Sequence, residues 1–136
     1  MIAYRLTRRR YANDLSGAGG ILAAGRCNHK GTLVIYAAQH PALALVEVLA
    51  HLDFEDVPLD YVLVTIEIPD SVPVKQATPA EALTASRKPP VPVFLVPSVV
   101  VPQALNVVIY PKAPGFAARI IKTEPFRIDP RLLGIR

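Results

Sequence analysis

Proline limits what this chain can fold into more than any other residue: there are 14 in 136 residues, and all but Pro41 and Pro58 fall at or beyond Pro69. Proline lacks an amide proton and its ring clashes with the preceding helical turn, so a segment interrupted every few residues cannot form a long helix. The second half of the chain is therefore expected to be short strands and turns, with residues 93–96, 99–101, 106–110 and 117–122 as the strand candidates. Within it, Thr78-Pro79-Ala80-Glu81 has the pattern of a capping box, with Thr78 as N-cap and Glu81 reaching back, so a short helix to about Ser86 is expected.

The first half reads differently. Residues 2–6 form a short strand candidate, and a polar segment over 13–31, carrying Gly17, Gly19, Gly20 and Gly25, reads as a loop. Residues 33–38 suit a buried strand. Pro41 then stands where a first helical turn tolerates it, ahead of the run 42–52. On a helix of 100° per residue, Leu45, Val48, Leu49 and Leu52 share one face, while Leu43, Val46 and Ala50 lie opposite, beside Glu47. A helix apolar nearly all round is expected to be buried. Residues 61–68 alternate, with Val62, Val64, Ile66 and Ile68 on one side, and are the clearest strand. The expected fold class is α+β: a single domain over residues 1–136 with short mixed β-strands and a buried helix.

Composition narrows the function. At 51% hydrophobic and 19% charged residues the chain can bury a core. Mean hydropathy is +0.33, yet no apolar run approaches the roughly 20 residues of a spanning helix. The first residues, Met1-Ile2-Ala3-Tyr4-Arg5-Leu6, lack the pattern of a secretory signal, so the cytoplasm is the expected location. A single cysteine, Cys27, excludes an internal disulfide and argues against a metal centre. The net charge of +4 suits an anionic small substrate or an acidic protein partner as well as nucleic acid. The triplet Arg8, Arg9 and Arg10 has little aromatic interleaving and no nucleic-acid motif around it, so it reads as a solvated edge.

Glu47 is the informative position, because a carboxylate on an otherwise apolar helix has to be paired, protonated or open to a cavity. Three accounts stand from helix geometry: a contact with His51 one turn on, snorkelling to solvent, or a functional carboxylate. Arg26 ends the glycine-bearing loop, just before the strand that leads to the Glu47 helix. Sequential elements are usually spatial neighbours, so the two side chains are expected to approach. A guanidinium there suits a pyrophosphate through bidentate, charge-assisted hydrogen bonds, or else it is a turn arginine in solvent. Tyr36 ends a strand and either presents its ring to a ligand or packs in the core. Ser98 is a lone polar residue in an apolar run without a nucleophile-elbow pattern, and taken on its own it reads as a buried serine bonded to a backbone carbonyl.

Taken together, Gly19-Gly20, Gly25-Arg26-Cys27-Asn28, Gly31, Val34-Ile35-Tyr36 and the run from Ala44 to His51 resemble the first half of a RES domain. Val96-Pro97-Ser98 with Pro102 and Asn106, and the tail from Phe126 to Leu132, resemble its second half. The family takes its name from an arginine, a glutamate and a serine, matched here by Arg26, Glu47 and Ser98. Cys27 stands where a tryptophan usually follows the motif arginine, and the stretch between Asp70 and Val93 is short for the family. The resemblance implies a fold related to ADP-ribosyltransferases and a toxin that consumes NAD as substrate, without a metal. It breaks the nicotinamide–ribose bond by phosphorolysis or hydrolysis, or transfers ADP-ribose to a protein such as phosphoribosyl pyrophosphate synthetase. It also implies an antitoxin with an Xre-type helix-turn-helix domain over the active site, with a second copy of the chain as a further partner and no direct contact with membrane or nucleic acid. On this reading Arg26, Glu47 and Ser98 are catalytic, and Arg5, Asn28, Tyr36, His51 and Asn106 bind substrate. The alternatives are a basic nucleic-acid- or protein-binding module and a catalytically impaired RES homologue.

Overall fold

The computed structural model describes residues 1–134. In chain order the elements are β1 (Ile2–Arg8), α1 (Gly19–Leu22), β2 (Ile35–Ala38), α2 (Pro41–His51), β3 (Tyr61–Glu67), β4 (Val74–Gln76), α3 (Pro79–Ala85), β5 (Val93–Pro97), β6 (Leu105–Ile109) and β7 (Arg119–Pro125), with 3-10 turns at Arg9–Tyr11 and Pro130–Leu133. The strands form one seven-stranded sheet in the order β4-β5-β6-β2-β1-β3-β7. Every neighbouring pair is antiparallel except β4 and β5. No helix among the described residues is long and apolar enough to cross a membrane.

Strand alternation gives the sheet two different faces. One face gathers Ala3, Ile35, Ala37, Val62, Val64, Ile66, Val93, Val107 and Ile109 into a single nearly water-free cluster. Among the described residues no helix belongs to it; coil segments carrying Ala12, Leu15, Val72 and Phe116 help to close it. The opposite face splits. Phe94, Val96 and Val108 join Cys27, Tyr110 and Ala82 of α3 in one cluster, while Leu6, Ala38 and Leu63 join Leu43 and Ala44 of α2 in another. Two helices packed on different parts of one face leave a gap over β2 and β6, and that gap is the site described below.

Local chemistry accounts for both helices. Thr78 Oγ1 accepts from the Glu81 amide at 3.1 Å and Glu81 Oε1 accepts from the Thr78 amide at 2.9 Å, so the expected capping box starts α3. Helix α2 starts with Pro41 in its first turn and with His40 as N-cap, whose Nδ1 accepts from the Ala42 amide at 3.1 Å.

Several expectations need correction. Helix α2 is not buried all round: only Leu43 and Ala44 are fully covered, because it packs on β1 and β2 from one side. Residues 99–101 are not a strand but a tight turn in which Val99 and Val100 stay exposed. The 13–31 loop contains one short helical turn, α1. The edge strand β4 was not expected, since its three residues, Val74, Lys75 and Gln76, are all exposed and carry no apolar pattern.

Candidate active site

The gap on the helical face is a cleft of about 340 Å³. This is near the lower end of the roughly 300–1,000 Å³ range of small-molecule sites. Its floor is Ala38, Val96, Asn106 and Val108 of the sheet, with Tyr4 and Leu6 from β1. Ala44, Glu47, Val48 and His51 form one wall, at the i, i+3, i+4, i+7 spacing of a helix face. Gly25, Arg26 and Cys27 supply a second wall, and Pro79 at the start of α3 also reaches the cleft.

The Arg26 wall is a tight hairpin. Gly25 and Asn28 bridge each other, with the Gly25 amide donating to the Asn28 carbonyl at 3.1 Å, and Arg26 stands exposed at the tip. Glycine at position 25 makes room for this packing: a Cβ there would lie 2.5 Å from Tyr36 Oη and 2.7 Å from Asn28 Oδ1, so those side chains would have to shift. Those two atoms are themselves bonded, Tyr36 Oη donating to Asn28 Oδ1 at 2.5 Å while accepting from the Cys27 amide at 3.1 Å. Asn28 Nδ2 donates to the Gly20, Ala23 and His29 carbonyls. From the other side the Tyr110 hydroxyl donates to the Cys27 carbonyl at 2.7 Å, its ring edge-on to Phe94. Arg26 is thus an exposed cation on a loop whose base is fully hydrogen-bonded.

Glu47 is held from different elements. Its Oε1 accepts from Ser98 Oγ at 2.5 Å and from Asn106 Nδ2 at 3.0 Å. Ser98 lies just past β5 and is buried. The pairing of Val96 with Asn106 brings Ser98 and Asn106 to the same end of the sheet. The expected bond from Glu47 to His51 exists, but through the backbone: His51 Nδ1 lies 3.0 Å from the Glu47 carbonyl oxygen, not its carboxylate. Burial pushes the Cys27 thiol up to about 11, with Arg26 drawing it down and Glu47 pushing it up, so both charges act at this one cleft residue. A thiol held neutral in this way is a poor nucleophile.

The structure brings together five of the residues expected at the site, since Arg26, Tyr36, Glu47, His51 and Asn106 all line the cleft, and Ser98 reaches it through Glu47. Arg5 does not join them. It falls between Tyr4 and Leu6 on β1, so strand alternation turns it to the other face of the sheet, where a guanidinium nitrogen donates to the Asp14 carbonyl at 2.9 Å. Asn28 is also displaced from the expected role, because it is 1% exposed and its amide is consumed inside the hairpin. Tyr4 was missed, although the parity of β1 with Leu6 marked it. Arg8 pairs with Asp60, while Arg10 sits 4.9 Å over the Tyr11 ring, so the arginine triplet presents no continuous basic row.

Comparison with known proteins agrees with this architecture. The family model described as the RES domain matches residues 2–92. The chain is similar to the Prs ADP-ribosylating toxin of Sphingobium sp. (strain YBL2), at 37% identity over 90% of this chain and 88% of that protein. It is also similar to Toxin Res of Pseudomonas putida, at 36% identity over 97% of this chain and 99% of that one. Its fold is that of a chain in the crystal structure of the M. tuberculosis MbcT-MbcA toxin-antitoxin complex, with a TM-score of 0.64, 21% identity, and coverage of 98% of this chain and 86% of that one. By its family match, by full-length relatives above 30% identity and by its architecture, this chain belongs to the RES domain family.

Proposed function

We propose that this chain is the toxin of a toxin–antitoxin pair and that it cleaves the bond between nicotinamide and ribose in NAD. The observation that carries the proposal is that an exposed guanidinium, Arg26, and a tethered carboxylate, Glu47, line one cleft together with the half-exposed ring of Tyr36. Arg26 takes the pyrophosphate through its planar fork, and Tyr36 packs against a ring of the dinucleotide. As the C–N glycosidic bond breaks, its electron pair leaves with nicotinamide and the ribose carbon becomes oxocarbenium-like. The carboxylate of Glu47 stabilises that positive charge and orients the ribose hydroxyls, the logic of glycoside cleavage. Phosphate, water or a protein side chain then attacks the ribosyl carbon. The relative named as a Prs ADP-ribosylating toxin supports including a protein acceptor, phosphoribosyl pyrophosphate synthetase.

The partner in this reading is an antitoxin carrying an Xre-type helix-turn-helix domain, seated over the cleft where Val99 is 49% exposed and Val46 and Leu49 of α2 are only half-buried. A second copy of the chain within that complex is part of the same proposal, as is a site of action in the cytoplasm.

The test is nicotinamide release and NAD loss, measured for wild type, Arg26→Ala and Glu47→Ala, each with a native circular dichroism spectrum. Each variant is expected to lose about 100-fold or more in rate, the scale of removing one preorganised electrostatic group. Two folded variants that both turn over NAD at the wild-type rate would contradict the assignment.

A further inference from the structure

We propose that Ser98 and Asn106 are positioning residues that together occupy one oxygen of Glu47, leaving Oε2 as the single oxygen offered to substrate. The kinetic part of this proposal rests on the NAD-cleaving reading above; the geometric part does not.

The hydroxyl of Ser98 accepts from the Val100 amide at 3.1 Å and from the Val101 amide at 3.0 Å. A hydroxyl has one proton and two lone pairs, so both lone pairs are committed and the proton has one direction left. That direction is Glu47 Oε1, at 2.5 Å. With its lone pairs engaged and its residue 2% exposed, Ser98 has no electron pair free to attack a ribosyl carbon. The polar residue that looks most like a nucleophile is instead an orienter.

Asn106 completes the arrangement by donating to the same Oε1 at 3.0 Å. Two donors on one oxygen fix the carboxylate plane, and no hydrogen bond among the described residues reaches Oε2. The restraint is tertiary: the carboxylate comes from α2, the hydroxyl from the turn after β5, and the amide from β6. The other polar or ionisable groups around the cleft are Arg26 and Cys27 of the hairpin, Tyr36 of β2, Tyr4 of β1 and His51 of α2, and none of them bonds the carboxylate. Oε2 is consequently the oxygen left without a partner on a residue that lines the cleft, and the tether on Oε1 preorganises it for the charge that develops there.

The kinetic test uses Ser98→Ala and Asn106→Ala. Each is expected to lower kcat for nicotinamide release by roughly 10- to 100-fold, the cost of a slightly misplaced catalytic group, with KM for NAD nearly unchanged. Because both act on one oxygen, the double variant loses less than the product of the single losses. A rise in KM with kcat intact would overturn the assignment, and so would an ADP-ribosyl adduct on Ser98 in intact-protein and peptide mass spectra quenched during turnover. The structural test needs no substrate. In ¹⁵N-labelled protein the side-chain amide resonances of Asn106 should move in both Glu47→Ala and Ser98→Ala. If they stay in place in the Glu47→Ala protein, the shared oxygen does not exist. If they move but wild type leaves NAD intact, the positioning holds and the functional reading is what fails.

Discussion

Replacing Gly25 by alanine tests how the hairpin presents Arg26. The added Cβ would sit 2.5 Å from Tyr36 Oη and 2.7 Å from Asn28 Oδ1, against an ordinary contact distance of at least 3.4 Å, so Tyr36 Oη has to retreat by about 0.9 Å. That retreat breaks or stretches its bonds to Asn28 Oδ1 and to the Cys27 amide. Two hydrogen bonds at about 0.5–1.5 kcal/mol each give an expected loss of about 1–3 kcal/mol, which is also the usual cost of overpacking. Urea unfolding followed by circular dichroism measures it. The same displacement moves Arg26, so KM for NAD should rise about tenfold, the order expected when a charge-assisted contact is weakened. Adding Tyr36→Phe removes the nearest colliding atom and frees Asn28 Oδ1, the other close contact, from its bond to the tyrosine so that it can move aside. The double variant should therefore lose clearly less stability than the sum of the two singles. Additive losses, or a Gly25→Ala protein within about 0.5 kcal/mol of wild type, would refute the steric argument.

Other perturbations have equally direct readouts. Tyr110→Phe takes away the hydroxyl that serves the buried Cys27 carbonyl and should cost about 1–3 kcal/mol in urea; no change would mean the carbonyl finds another donor. Thr78→Ala removes the N-cap of α3 and should cost about 1 kcal/mol, whereas unchanged stability would mean that the capping box contributes nothing. Burial raises Cys27 to about 11 and Tyr36 to about 12, favouring their neutral forms in the folded protein. Stability from these groups is complete below their unfolded values and is lost as pH rises through the folded ones, so unfolding free energy should fall between about pH 9 and 12. Cys27→Ser should flatten the lower part of that fall, and an identical pH profile in the variant would show that the buried thiol is not its source.

Much of this molecule can be read from its residues because local signals and tertiary packing agree. The alternation through Val62, Val64, Ile66 and Ile68 needs only a buried face, and the sheet supplies one. The capping box at Thr78 is satisfied within four residues and forms as expected. Glu47 stands out because a carboxylate among apolar neighbours requires partners, and it has them. The failures have a common origin in information that is not local. Helix α2 is apolar on its outer side as well, and composition alone cannot say that only one side meets β1 and β2. Val99 and Val100 look like strand residues, but the Ser98 hydroxyl takes up the Val100 and Val101 amides and turns the chain instead. Asn28 resembles a ligand contact until Tyr36, eight residues on, folds back to claim it. Arg5 was avoidable, since parity with Tyr4 and Leu6 already set it on the other face.

That one cleft holds a dinucleotide between Arg26 and Glu47 is tested most directly by a crystal structure of the Glu47→Gln protein with NAD. Glutamine keeps an oxygen that can accept from Ser98 and Asn106, so the cleft should stay assembled while turnover slows. The pyrophosphate is expected on the Arg26 guanidinium and the nicotinamide ribose against residue 47. Dinucleotide bound elsewhere on the chain, or bound in the cleft with its phosphates away from Arg26, would contradict that claim.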